Sequence, residues 1–119
     1  MNLYFAIDGD DIGRQLETFV VSNDIKSVKA FSNRVKTALT VLENFFRSNK
    51  GEIIFSAGDS ILASSNNKIE ISAIPLIQGE ISFSMGVGRS GEQALLSLKR
   101  AKALGKRRYE IAKEMSFEK

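Results

Sequence analysis

The 119-residue sequence has no cysteine, no histidine and no tryptophan, and it has one proline. Absent cysteine excludes a disulfide scaffold, a thiol nucleophile and a zinc-thiolate site. Absent histidine excludes a Ser-His-Asp device, a histidine general base and histidine metal ligands. No apolar run approaches the roughly 20 residues of a membrane span. The start, Met1 to Asp8, lacks the basic region and small-residue cleavage site of a signal peptide, so a cytoplasmic location is expected. Any catalysis must use carboxylates, lysines, hydroxyls, backbone groups or a metal held by oxygen.

The charge that remains is unevenly placed. Lysine and arginine number 17 against 14 acidic residues, a formal +3. Lys99 to Arg108 carries six positive charges and no negative one, whereas the first eleven residues carry three aspartates and no basic residue. Such a division suits metal ions plus phosphates, although solvated faces explain such clusters more often. The length supports one domain with an ordinary hydrophobic core.

Leu3 to Ile7 is a continuous apolar run ending at Asp8-Gly9-Asp10-Asp11, which predicts a central strand followed by a turn. Asp11 sits near the N-cap of a first helix. From Ile25 to about Arg47 apolar residues recur at spacings of three and four, a long amphipathic helix with Gly51 as its stop. Glu52–Ser56 and Ile61–Ser64 predict a hairpin around Ala57-Gly58-Asp59-Ser60. The stretch from Ile69 to Gln78 reads either as a strand or as a short irregular helix, and Pro75 argues against a central strand. Ile81–Gly88 alternates as a strand. Ser90 and Gln93 resemble a capping box that opens a last helix, with Ala94, Leu95, Leu98, Ala101 and Leu104 as its buried face and Gly105 as its stop. The order predicts an α+β fold, a mostly antiparallel sheet with helices mainly on one face.

Three stretches can carry chemistry, and each also reads as an ordinary surface feature. Asp8 at a strand end, with the Gly9 carbonyl beside it, is an oxygen donor set for a hard cation, or a solvated turn. Asp59 at a hairpin of small residues can converge with Asp8 on metals that serve phosphoryl transfer, or it is an ordinary hairpin turn. Lys99, Lys102 and Lys106 share one helical face and its end, as triphosphate clamps or as a basic face that favours the helix dipole.

Their order resembles the GGDEF/palm superfamily over about residues 3–106. The match runs through Asp8 to Gly13, Ala57-Gly58-Asp59, Met85-Gly86-Val87-Gly88, Ala94-Leu95 and Ala101 to Lys106. The short length and the Asp-Gly-Asp-Asp start look most like the minimal CRISPR polymerases, here over residues 1–119. The resemblance implies a ferredoxin-like palm and a nucleotidyltransferase in which a ribose hydroxyl of one NTP attacks the α-phosphate of another. It implies Asp8 and Asp59 as catalytic residues, and Asp8, Gly9 and Asp59 as ligands of a two-metal Mg²⁺ or Mn²⁺ site. Asp11, Ile12, Gly13, Gly58, Lys102 and Lys106 would bind the nucleotide and its phosphates. It further implies a homodimer, a cyclic di- or oligonucleotide product in anti-phage defence and a separate effector that responds to it, without membrane insertion or DNA binding.

The sequence departs from that pattern in places. Ala57 replaces a glycine, and Ser60 stands where relatives carry a second acid, which keeps a catalytically degenerate nucleotide-binding domain open. Leu16 and Ile25 fall where diguanylate cyclases read guanine, and neither can hydrogen-bond a base edge, so ATP is the expected substrate. The same pair argues against a relative that hydrolyses the ring of GTP. Arg47-Ser48-Asn49-Lys50 lacks the aspartate of the cyclases' product-inhibition motif, so no feedback site is expected there.

Overall fold

In the computed structural model, which describes residues 2–113, the apolar run at the start is β1 (Leu3–Gly9), and it lies at the centre of the sheet. Phe5 and Ile7 point to one face, Ala6 and Asp8 to the other, and Phe5, Ala6 and Ile7 are all buried. A turn leads into α1 (Ile12–Val21) and then α2 (Ile25–Ser48). Asp24 caps α2 by accepting from the Ser27 amide at 3.1 Å. The hairpin follows as β2 (Glu52–Ala57) and β3 (Ser60–Ser65).

The ambiguous stretch resolves into both of its readings. A single 3₁₀ turn at Ile71–Ala73 is followed by the two-residue β4 (Ile77–Gln78) at the sheet's edge, where Pro75 removes no ladder bond. Then come β5 (Ile81–Gly88), α3 (Gly91–Ala103) and β6 (Tyr109–Ile111). The sheet order is β2-β3-β1-β5-β4, antiparallel throughout, with β6 added parallel to β5. Charge patterning alone did not predict β6. The remainder of the charged tail lies outside the described residues.

Two of the three described helices share a face. The stripe Phe31, Val35, Ala38, Leu42 and Phe46 of α2 packs on Phe5, Ile7, Phe83, Met85 and Val87, and α1 adds Ile12. Helix α3 lies alone on the opposite face, against Ala6. Its approach depends on Gly86 and Gly88, because a Cβ on either would strike the α3 backbone at Ala94. That close fit corrects the expected buried face of α3. The residues against the sheet are Ala94, Ser97, Leu98 and Ala101, whereas Leu95 and Leu104 are each 49% exposed. Small side chains at spacings of three and four set the contact, and the larger leucines fall off that stripe.

Helix ends also differ in detail from the expectation. The left-handed residue closing α2 is Lys50, with φ 62°, and not Gly51. Gly51 is instead pressed between the Phe46 and Ser64 carbonyls, where a Cβ would stand 3.0 and 3.2 Å from them. At α3 the Ser90 hydroxyl accepts from the Gln93 amide at 3.1 Å, as a cap should, while the Gln93 side chain accepts from the Arg89 amide at 2.8 Å. Gly105, Lys106 and Arg107 then follow with φ 124°, 65° and 53°. This run of three positive φ values turns the chain back toward the sheet.

Candidate active site

Register brings the two predicted carboxylates together. Asp8 of β1 pairs with Ser60 of β3, so Asp59 sits one residue beyond it. The hairpin turn is made possible by Gly58, with φ 60°. Asp59 does not project from the tip into solvent. Its carbonyl accepts from the Gly9 amide at 3.0 Å, and its carboxylate lies over Gly9. A Cβ on Gly9 would stand 2.8 Å from Asp59 Oδ2 and 2.6 Å from Ile12, so only glycine leaves this space for the carboxylate. Burial, and then the neighbouring negative charge of Asp8, push the Asp59 carboxyl above the usual carboxylate range.

Asp8 is held from both sides. Ser60 Oγ donates to its Oδ1 at 2.6 Å, and Lys102 Nζ approaches its Oδ2 to 3.2 Å. Lys102, near the C-terminal end of α3, also donates to the Gly9 carbonyl at 2.7 Å and to Asp10 Oδ1 at 2.9 Å. Burial alone would lower the lysine's pKa, but the bond to Asp10 and the charges of Asp10 and Asp8 raise it above its ordinary value.

Asp10 is the residue that sequence reasoning missed. Its side chain is 4% exposed. It accepts from Ser82 Oγ at 2.9 Å, Ser84 Oγ at 2.7 Å, Lys102 Nζ and the Arg107 amide at 3.0 Å. Burial opposes its ionisation, and these bonds outweigh burial, so its pKa falls below the ordinary carboxylate value. The sequence did carry a signal. Ser82 and Ser84 alternate with large apolar residues in a strand buried on both faces, and buried hydroxyls need partners.

Asp11 stands at the N-cap of α1 in the left-handed region, with φ 58°, and its side chain makes no cap bond. Its carboxylate accepts instead from Lys106 Nζ at 2.6 Å and Arg14 at 2.9 Å, and the Lys106 bond first of all lowers its pKa. Ile12 is buried, Gly13 opens onto free space, and the first-turn amides of any helix have no intrahelical acceptor. Between this helix start and the turn after α3 lies a cavity of about 300 Å³, lined by Asp11, Ile12, Gln15, Lys106 and Arg107 among others. Gln15 is a second polar side chain that sequence reasoning missed. Leu16 packs against the core, and Ile25 at the start of α2 is 49% exposed.

A model of the minimal CRISPR polymerase domain matches residues 4–112 of this chain. The chain belongs to the minimal CRISPR polymerase domain family. Among solved structures, the minimal CRISPR polymerase domain resembles the active GGEEF domain of a diguanylate cyclase from Vibrio cholerae, with a TM-score of 0.62 and 15% identity over 94% of this chain and 83% of that one. At that identity the likeness concerns the fold. No curated protein matches the sequence. Together these findings bear out the GGDEF/palm resemblance, the α+β palm-like fold and a domain of the nucleotide cyclase and polymerase type.

The donor set can be tested against the divalent cation that such domains use. Among the described residues no group of three or more carboxylates, histidines or cysteines converges as metal ligands. Asp10 is already occupied by its four donors. Asp8, Asp59 and the Gly9 carbonyl form an all-oxygen set suited to Mg²⁺ or Mn²⁺, ions that retain waters in the remaining positions, and Lys102 Nζ is the cation that now stands on the Gly9 carbonyl and Asp8. Burial first, and then the nearby Asp8 charge, raise the pKa of Asp59, and a divalent cation on both carboxylates would offset both costs. The residues present fit the group.

Among the described residues no helix is long and apolar enough to cross a membrane.

Proposed function

We propose that this chain, as one catalytic domain, is an Mg²⁺- or Mn²⁺-dependent nucleotidyltransferase that joins nucleoside triphosphates, ATP foremost, into a cyclic di- or oligonucleotide and releases pyrophosphate. One observation carries the reading: Asp8, the Gly9 carbonyl and Asp59 converge at the end of the central strands, with Lys102 on the Gly9 carbonyl and Lys106 on nearby Asp11. When bound there, the cation supplies Lewis acidity at the α-phosphate and favours ionisation of the attacking hydroxyl.

The chain's own residues do the rest. Asp8 and Asp59 hold the cation, with Ser60 fixing the orientation of Asp8 through its 2.6 Å bond. The triphosphate lies along the start of α1, where the amides of Asp11, Ile12 and Gly13 face it, and Gly58 leaves room at the hairpin. Lys102 and Lys106 neutralise the phosphate oxygens, which orients the pyrophosphate leaving group. The ribose hydroxyl of a second nucleotide attacks, a P–O bond forms as the bond to pyrophosphate breaks, and the hydroxyl proton goes to solvent. Adenine is favoured because Leu16 and Ile25 offer no partner for a guanine edge. The two nucleotides belong to two facing copies of this chain in a cytoplasmic homodimer, and the product signals to a separate effector in phage defence.

Incubation with each NTP and Mg²⁺ or Mn²⁺, with products resolved by mass spectrometry, tests this reading. A cyclic adenylate is expected, and the absence of any oligonucleotide product would overturn it. Ser60 supports a second reading. A hydroxyl replaces the second acid and donates to Asp8, and that arrangement suits a nucleotide-binding domain without turnover. Calorimetric NTP affinity with no pyrophosphate release would select it.

A further inference from the structure

The Lys102 ammonium stands among four oxygen atoms. Its Nζ lies 2.7 Å from the Gly9 carbonyl, 2.9 Å from Asp10 Oδ1, 3.2 Å from Asp8 Oδ2 and 3.3 Å from the Asp8 carbonyl. A lysine ammonium has three donors and no acceptor, so this shell satisfies it fully. The Asp8 carboxylate and the Gly9 carbonyl are also the atoms assigned above to the divalent cation. The same lysine is assigned there to the triphosphate. It cannot hold all of these at once, because an ammonium and a divalent cation on the same oxygens repel strongly in a half-buried site.

The geometry points to Lys102 as the resident counter-cation of the metal position, an ammonium that occupies the Gly9 carbonyl and Asp8 until a divalent cation displaces it. This rests on the metal-site reading proposed above.

Two features make the exchange workable. The first is the Asp10 tether. Asp10 is fixed by Ser82, Ser84 and the Arg107 amide, so Lys102 can leave Gly9 and Asp8 and remain bonded to Asp10 Oδ1. The displaced ammonium therefore stays at the site. The second is the chemistry of what it gives up. A neutral carbonyl is a weaker acceptor for an ammonium than a phosphate oxygen. A triphosphate therefore draws the lysine off Gly9 and opens that oxygen to the metal. One lysine then serves two states: placeholder in the empty protein and phosphate ligand in the loaded one.

Nucleotide-free Mn²⁺ titration by electron paramagnetic resonance, which counts free ion directly, tests the inference without reference to turnover. Lys102→Met should bind Mn²⁺ about ten-fold or more tightly than the unaltered protein, because the competing charge is gone. Lys102→Gln should behave in the same direction, and Lys102→Arg, which keeps the charge, should stay near the original affinity. Thermal unfolding of each variant identifies any that fails to fold, and the two neutral variants back each other up. Unchanged or weaker Mn²⁺ binding in a folded neutral variant would overturn the inference, provided that binding depends on Asp59. Mn²⁺ binding that survives Asp59→Ala, or no Mn²⁺ binding in any variant, would instead overturn the metal-site reading itself, and this inference with it.

Discussion

Asp10 and Lys102 meet at 2.9 Å on the α3 side of the sheet, tying the turn after β1 to the end of α3. Around them, Ser82 and Ser84 of β5 and the Arg107 amide complete a polar junction under the proposed active site.

Removing one partner of that junction exposes the others. Asp10→Ala would leave the buried Ser82 and Ser84 hydroxyls and the Arg107 amide without their acceptor, while the Lys102 ammonium keeps the Gly9 carbonyl and Asp8. Leaving a buried donor unsatisfied costs about 1–3 kcal/mol, so urea unfolding should show a fall of about that size. A change below about 1 kcal/mol would mean that water replaces the carboxylate freely.

The same junction sets a pH dependence. The lowered pKa of Asp10 means that its contribution is present above the ordinary carboxylate value and is lost as pH falls through its depressed folded value. The raised pKa of Lys102 means that its contribution is present below the ordinary lysine value and is lost as pH rises through its raised one. Asp59 has the sign of Lys102, since its folded pKa is also raised. Its ionised form costs stability, and acidification through that raised value relieves the cost. In chelator, Asp59→Asn should therefore raise Tm at neutral pH and remove the gain seen on mild acidification. A lower Tm for this variant would contradict the cost that burial and the Asp8 charge place on the ionised form.

The glycines of β5 make a separate test of packing. Gly86→Ala would drive a methyl into the α3 backbone, and overpacking of this kind costs about 2–3 kcal/mol. Gly13→Ala is the control, because a Cβ there meets nothing within 4 Å. An alanine in a helix is favoured over glycine by about 0.5–1 kcal/mol, so its stability should hold or rise. The denaturation midpoint of Gly86→Ala should fall, whereas that of Gly13→Ala should not.

Lys106 separates binding from scaffold. Its partner Asp11 is exposed, so Lys106→Ala should leave Tm nearly unchanged. If Lys106 holds a phosphate, steady-state kinetics should show KM for ATP rising about ten-fold, the loss expected for one charge-assisted hydrogen bond. An unchanged KM would return Lys106 to the role of a surface ion pair.

Much of this was legible in the chain because periodicity and turn chemistry report backbone geometry directly. The apolar run before Asp8, the small-residue hairpin at Gly58 and Asp59, and the three–four spacing of α2 all became the expected elements. What sequence could not give was long-range pairing. Asp10 reads as one more turn aspartate until β5 brings Ser82 and Ser84 beneath it, 72 and 74 residues away. The face of α3 was misjudged for a related reason. Hydrophobicity favoured Leu95 and Leu104, whereas the close approach to Gly86 and Gly88 rewarded small side chains. Asp8 and Asp59 were readable as two separate candidates, and only the Asp8–Ser60 register showed that they lie side by side.

The central claim is that Asp8 and Asp59 form the catalytic cation site of a nucleotidyltransferase, and pyrophosphate release from ATP with Mn²⁺ measures it most directly. Steady release by the unaltered chain, abolished in a folded Asp59→Ala variant, is the predicted result. Release that continues at the same rate without the Asp59 carboxylate, or no release from the unaltered chain with any NTP, would contradict it.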